Sequence, residues 1–268
     1  DGIRDFCLSR GLGDVYKRQT GESATLNTRE HLEVISRTIE LANGSISVVA
    51  GTGSNSTEET LHQTKEAESL GADACLLVTP YYNRPTQEGL YAHFKTVAET
   101  TSVPLVLYNV PGRTGCDLLP ETIGRLSSIE GIVGIKEASG KIERVSEIRS
   151  VSASDFFILS GEDALTLEMM NNGAVGTISV TANVLPKAMA EFCDSFLSGN
   201  IERATEIDEV LQSVHEILFI ESNPTPAKWA LHQMGIIQEG IRMPLLPLSS
   251  RYRSELKKRI DEATEALK

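Results

Sequence analysis

Between residues 47 and 182, short apolar runs alternate six times with amphipathic stretches. The runs occupy 47–53, 74–80, 105–111, 132–138, 156–161 and 176–182, and most end in Gly, Pro or a polar residue. Few folds accommodate this rhythm. Parallel strands need a crossover of a dozen or more residues, and a helix is the compact way to make one. The pattern predicts a parallel sheet of βαβ units. A chain of 268 residues matches a (β/α)8 barrel with an appendage.

The helical stretches carry their own punctuation. Thr28 is expected to cap a helix running to about residue 41, with Leu32, Ile35, Ile39 and Ala42 at helical spacing. Ser56 is expected to cap the next, with Glu59 as its capping-box partner, and Gly71 to end it. Leu90, Phe94 and Val97 mark a third, Pro120 opens a fourth, Val145 and Ile148 lie on a fifth, and 163–172 is a sixth. After Pro186 the strand pattern stops and helical stripes take over, such as Ala204, Ile207, Leu211 and Val214, or Leu256, Ile260 and Ala263. Three parts are expected: 1–19 as a leader, 20–185 as a barrel-type catalytic domain, and 186–268 as an all-helical region. Residues 1–19 have neither strand alternation nor a helical stripe, and they are expected to be foreign to the fold.

In parallel α/β folds the reacting groups gather at the C-terminal ends of the strands. Lys136 follows the apolar run Ile132–Ile135 with no polar spacer, so its amine is expected in apolar surroundings. Desolvation disfavours ammonium and leaves some free amine near neutral pH, and a free amine can attack a carbonyl to form a Schiff base. A lysine snorkelling from the strand end into water is the plainer alternative. Tyr108 lies near the end of the preceding strand, where a phenol could shuttle protons to a carbinolamine or could simply be a core tyrosine. Arg113, in a loop between glycines, could grip a carboxylate or could be a solvated surface residue. Tyr81 and Tyr82 could equally be interface packing.

Composition narrows the partners. A net charge of -12 argues against nucleic acid and against an anionic membrane surface. Cys7, Cys75, Cys116 and Cys193 are far apart without a C-x-x-C pair, which fits reduced thiols in the cytoplasm better than a disulfide framework or a zinc site. Five scattered histidines without H-E-x-x-H give no expectation of a bound metal.

Three motifs stand in a familiar order: Thr20-Gly-Glu-Ser23, Tyr108-Asn-Val-Pro-Gly-Arg-Thr-Gly115 and Gly134-Ile-Lys-Glu-Ala138. With Thr79-Pro-Tyr-Tyr-Asn83, Ser160-Gly-Glu-Asp163 and Asn223-Pro-Thr-Pro226 they resemble the pyruvate-dependent class I lyases of the N-acetylneuraminate lyase superfamily, and within it the dihydrodipicolinate synthase family. The resemblance implies a lyase that uses no cofactor. Lys136 would form a Schiff base with pyruvate, and the derived enamine would attack aspartate semialdehyde to give 4-hydroxy-tetrahydrodipicolinate. By the same resemblance Tyr108, Thr20 and Tyr82 relay protons, Tyr82 being lent across a subunit interface. Arg113 holds the semialdehyde carboxylate, and the backbones of Gly161 and Ile178 complete the pyruvate site. A homotetramer in the cytoplasm is implied. Where lysine inhibits family members, the matching positions are Ser23, Ala24, His31, Asn55, Glu59 and Tyr81; Glu59 could instead only complete a helix cap.

The front of the chain departs from the family pattern. Gln19 stands where the family has the first threonine of its Thr-Thr-Gly-Glu motif, and two strands expected before it are not recognisable. An N-terminally truncated barrel with weak activity is therefore expected. Two alternatives remain: a sialic-acid-lyase type of aldolase, against which Arg113 and Glu137 weigh, and an inactive fragment that binds pyruvate without turnover.

Overall fold

A computed structural model describes residues 22–268. The chain forms two compact units, one of residues 27–177 and one of 178–268 together with the short segment 22–26.

The first unit is built on a parallel five-stranded sheet in the order β1-β2-β3-β4-β5. The strands are β1 (Val49–Gly51), β2 (Ala74–Val78), β3 (Leu105–Asn109), β4 (Ile132–Glu137) and β5 (Phe157–Ser160). Every residue of β2 and β3 is buried, as expected of a parallel sheet covered on both faces. Each crossover is helical: α1 (Thr28–Ala42) precedes β1, and α2 (Thr57–Leu70) and α3 (Gln87–Ala98) follow β1 and β2. After β3 come a single turn, α4 (Pro111–Thr114), and α5 (Pro120–Leu126), which begins at its proline as the sequence predicts. After β4 comes α6 (Glu143–Val151), and after β5 a 3-10 turn (Asp163–Leu165) leads into α7 (Thr166–Asn171).

Three local expectations need correction. The cap of α1 is Asn27, not Thr28: Asn27 Oδ1 accepts from Glu30 N at 3.0 Å and Glu30 Oε2 accepts from Asn27 N at 3.0 Å. A capping box needs an acid or amide three residues on, which Asn27 has in Glu30, whereas Thr28 would have His31. The box at α2 is only half made. Ser56 Oγ accepts from Glu59 N at 3.3 Å, but the Glu59 carboxylate turns to Ser54 Oγ (2.7 Å) and Gln63 Nε2 (2.9 Å). The run at 176–182 is not a full strand; it meets β5 only in one bridge, Thr177 beside Ser160. Its hydroxyls compete with the ladder: Ser179 Oγ accepts from Ala182 N at 2.9 Å, and a 3-10 turn forms at Thr181–Asn183.

The second unit is helical, as the stripes predict, with α8 (Pro186–Leu197), α9 (Ile201–Ile217), α10 (Thr225–Gln233) and α11 (Ser250–Ala266). Val214, Leu218, Trp229, Leu256 and Ile260 close its core. The segment 22–26 is tied to this unit by the Glu22 carboxylate, which accepts from Lys228 Nζ and from Arg242 N. Among the described residues no helix is long and apolar enough to cross a membrane.

Candidate active site

Register brings the two leading candidates together. β3 and β4 pair so that Tyr108 lies opposite Lys136 and Asn109 opposite Glu137. Strand alternation then sends Tyr108 and Lys136 to one face and Asn109 and Glu137 to the other. Lys136 is 3% exposed and Tyr108 2%, and the Lys136 amine stands 4.5 Å from the centre of the tyrosine ring. The lysine therefore does not snorkel into water. Gly161 closes over the lysine stem: its N–H donates to Glu137 O at 2.8 Å, and a Cβ there would lie 2.7 Å from Lys136 Cε. Glu162, next in the chain, is half-buried. Burial pushes its carboxyl above the usual range, Lys136 and Arg113 pull it down, and Asp163 and Glu137 push it up.

Behind this pair a polar network fills the other face. Asn109 Nδ2 donates to Asp117 Oδ1 at 2.8 Å and to Glu137 Oε2 at 3.1 Å, while Asn109 Oδ1 accepts from Leu118 N at 3.0 Å. Arg144 donates to both oxygens of Asp117 at 2.9 Å. Burial raises the Glu137 carboxyl above its ordinary range despite bonds from Ser139 and Asn109. For Asp117 burial pushes upward too, but the Arg144 and Asn109 bonds win and hold it below the carboxylate range. Nothing in the local sequence marks Asp117 or Arg144 as partners; only the register of Asn109 with Glu137 points to them.

The loops after β2 and β3 carry Tyr82 and Arg113. Tyr82 is 90% exposed in the left-handed region (φ 71°), and Arg113 is exposed at the end of α4. The two loops are bound together: Tyr82 N donates to Thr114 O at 3.3 Å, Arg84 Nε to Gly115 O at 2.7 Å, and Gln87 Nε2 to Asp117 O at 2.7 Å. Thr20 lies outside the described residues. Ile178 is buried in the second unit.

Of the positions matched to lysine inhibition, His31 is buried, with its Nε2 at 2.8 Å from Gly51 O, so it fastens α1 to β1. Asn55 O accepts from Asn83 Nδ2 at 2.8 Å, Tyr81 is partly exposed, and Glu59 is exposed on the bonds already described. Ser23 and Ala24 belong to a 3-10 turn of the second unit. Cys75 and Cys116 are free thiols; burial pushes Cys75 up to about 12, so it is no nucleophile at neutral pH. Among the described residues no cluster of three His, Cys, Asp or Glu side chains is placed to hold a metal ion.

Comparison with known proteins places the whole chain. A family model described as the dihydrodipicolinate synthetase family matches residues 5–263, a span that enters the leader segment. A 4-hydroxy-tetrahydrodipicolinate synthase of Stutzerimonas stutzeri (strain A1501) is 52% identical over 254 residues, covering 94% of this chain and 87% of the relative. The crystal structure of the chloride-inhibited dihydrodipicolinate synthase of Acinetobacter baumannii complexed with pyruvate is 50% identical, with a TM-score of 0.89, over 91% of this chain and 84% of that one. The same enzyme from Cyanidioschyzon merolae, with lysine bound, is 38% identical with a TM-score of 0.88 over 91% and 84%.

Proposed function

The chain belongs to the dihydrodipicolinate synthetase family, and from that premise we infer that it condenses pyruvate with L-aspartate 4-semialdehyde to give 4-hydroxy-tetrahydrodipicolinate. It is a lyase of lysine biosynthesis, and the electron sink is the imine made on the protein itself, so no separate cofactor takes part. The observation that carries the assignment of residues is the buried Lys136 amine against Tyr108 at the joined ends of β3 and β4.

Lys136 Nζ attacks C2 of pyruvate, water leaves, and an imine forms. Loss of a proton from C3 gives an enamine, whose C3 attacks the aldehyde carbon while the aldehyde oxygen gains a proton. The semialdehyde's own amine then displaces Lys136 at C2, closing the ring and returning the lysine. One water leaves in total. Tyr108 is the proton carrier, a role supported by its ring lying 4.5 Å from the amine, and Thr20 and Tyr82 extend the relay. The exposure and left-handed backbone of Tyr82 support its service to a second copy of the chain, in a homotetramer. Arg113 receives the semialdehyde carboxylate, and its proximity to Glu162 supports a place at the mouth of the site. The Gly161 and Ile178 backbones bind pyruvate, with Gly161 supported by its close approach to the lysine stem. In this assignment the sheet is part of a (β/α)8 barrel with its catalytic part at 20–185, and the free thiols support a cytoplasmic location.

The test offers the chain pyruvate with aspartate semialdehyde, and separately N-acetylneuraminate. Consumption of both substrates of the first pair, with no cleavage of the sugar acid, is expected. Cleavage of N-acetylneuraminate with no use of the semialdehyde would move the chain to the sialic-acid lyases. Lysine as inhibitor is a second proposal, supported by the exposed and pre-oriented carboxylate of Glu59, which can pair with an amine.

A further inference from the structure

The face of β3 and β4 turned away from Lys136 holds a chain of side chains that the condensation does not use. Asn109 and Glu137 are wholly buried, one residue from Tyr108 and one from Lys136. Asn109 uses its amide in both senses at once, donating to Asp117 and Glu137 and accepting from Leu118 N. Arg144, with its side chain 5% exposed, gives its fork to Asp117. Glu137 is left with uncharged donors only, Asn109 Nδ2 and Ser139 N at 2.7 Å.

We propose that Asn109, Asp117, Glu137 and Arg144 are positioning residues for the Lys136 amine, fixing the ends of β3 and β4 and keeping the Arg144 charge on Asp117 rather than on Glu137. The proposal rests on Lys136 as the nucleophile. The buried guanidinium holds Asp117 through two bonds of equal length and Glu147 through Nε at 3.2 Å, while Glu137 feels its charge without a bond to it. Glu137, wholly buried and bonded to the uncharged donors Asn109 Nδ2 and Ser139 N, has its carboxyl pushed above the ordinary range by burial, which favours the uncharged form. That matters because an ionised carboxylate one residue from Lys136 would favour ammonium, and ammonium has no lone pair for a carbonyl. Besides Lys136 next to it in β4, the charged groups that act on Glu137 include Arg144 after β4 and Glu162 after β5.

The test follows pyruvate imine formation on the full chain by cyanoborohydride trapping across pH, with peptide mapping at Lys136. Asp117→Asn frees Arg144 to pair with Glu137, so the pH midpoint should rise by about one unit, the low end of what a nearby charge does. Adding Glu137→Gln to that variant should return the midpoint to the wild-type value, which a merely structural defect would not do. Glu137→Gln alone should leave the midpoint in place, because burial already favours the uncharged form of the residue. An unmoved midpoint in Asp117→Asn, or a midpoint shifted by Glu137→Gln alone, overturns the proposal; the second comparison stands even where Asp117→Asn fails to fold. Absence of label at Lys136 in the wild type would instead remove the nucleophile assignment beneath it.

Discussion

Gly161→Ala should silence the enzyme with little damage to the fold. A Cβ at 161 would lie 2.7 Å from Lys136 Cε, 2.7 Å from Ala138 Cβ and 3.2 Å from Glu137 O. Carbon atoms in contact rest at about 3.5–4.0 Å, so something must move by about 1 Å. Ala138 Cβ is fixed to the backbone, and the lysine stem is the softer of the two. Overpacking of this kind costs about 1–3 kcal/mol, and at about 2–4 °C per kcal/mol the melting point falls by several degrees. Displacing a reacting amine by about 1 Å can cost about 100-fold in rate. The assay is kcat beside a thermal melt, with Gly134→Ala as the control. There a Cβ meets the Phe157 ring at 2.3 Å, two residues before the lysine, so stability should suffer more and the activity of the folded fraction less. A folded Gly161→Ala protein with kcat within about twofold of wild type would refute the reasoning, since no misplaced amine of that size keeps its rate.

Three further outcomes are expected. Because burial raises the Glu137 carboxyl, its contribution to stability is fully present below its unfolded value and is lost as pH rises through the folded one. Glu137→Gln should therefore flatten the decline of denaturation midpoints above about pH 4.3, where an unfolded glutamate titrates, and an unchanged slope would show that Glu137 is not shifted. Cys75 should resist thiol reagents in the native protein and react only on unfolding, read peptide by peptide in mass spectra; rapid native labelling would contradict its burial. Glu59→Ala should weaken lysine inhibition about tenfold or more, since a charge-assisted bond is worth about 1.5–3 kcal/mol, and identical inhibition curves would leave Glu59 as a helix-end residue only.

What the sequence revealed of this site was local. Apolar runs ending in Tyr108 and Lys136 declared two buried strands, and their order in the chain placed them side by side, as the register then shows. The bond partners of Asn109 were hidden because Asp117 and Arg144 lie on separate elements and meet only through tertiary packing. The run at 176–182 reads as a strand by side-chain type, yet its serine and threonine hydroxyls find nearer backbone partners and the ladder stops at Thr177. His31 matches a position of lysine-inhibited family members, and what its local sequence does not show is that its ring also fastens α1 to β1 through Gly51 O. The cap at Asn27 was legible, since Glu30 stands three residues on, but Thr28 was a plausible competitor one residue away.

The role of Lys136 is tested most directly by incubating the chain with pyruvate, reducing with borohydride and mapping the modified peptide by mass spectrometry. One reduced pyruvate unit on Lys136 is predicted, absent from Lys136→Ala. Label on another lysine, such as Lys141 or Lys228, or label that survives Lys136→Ala, would contradict it.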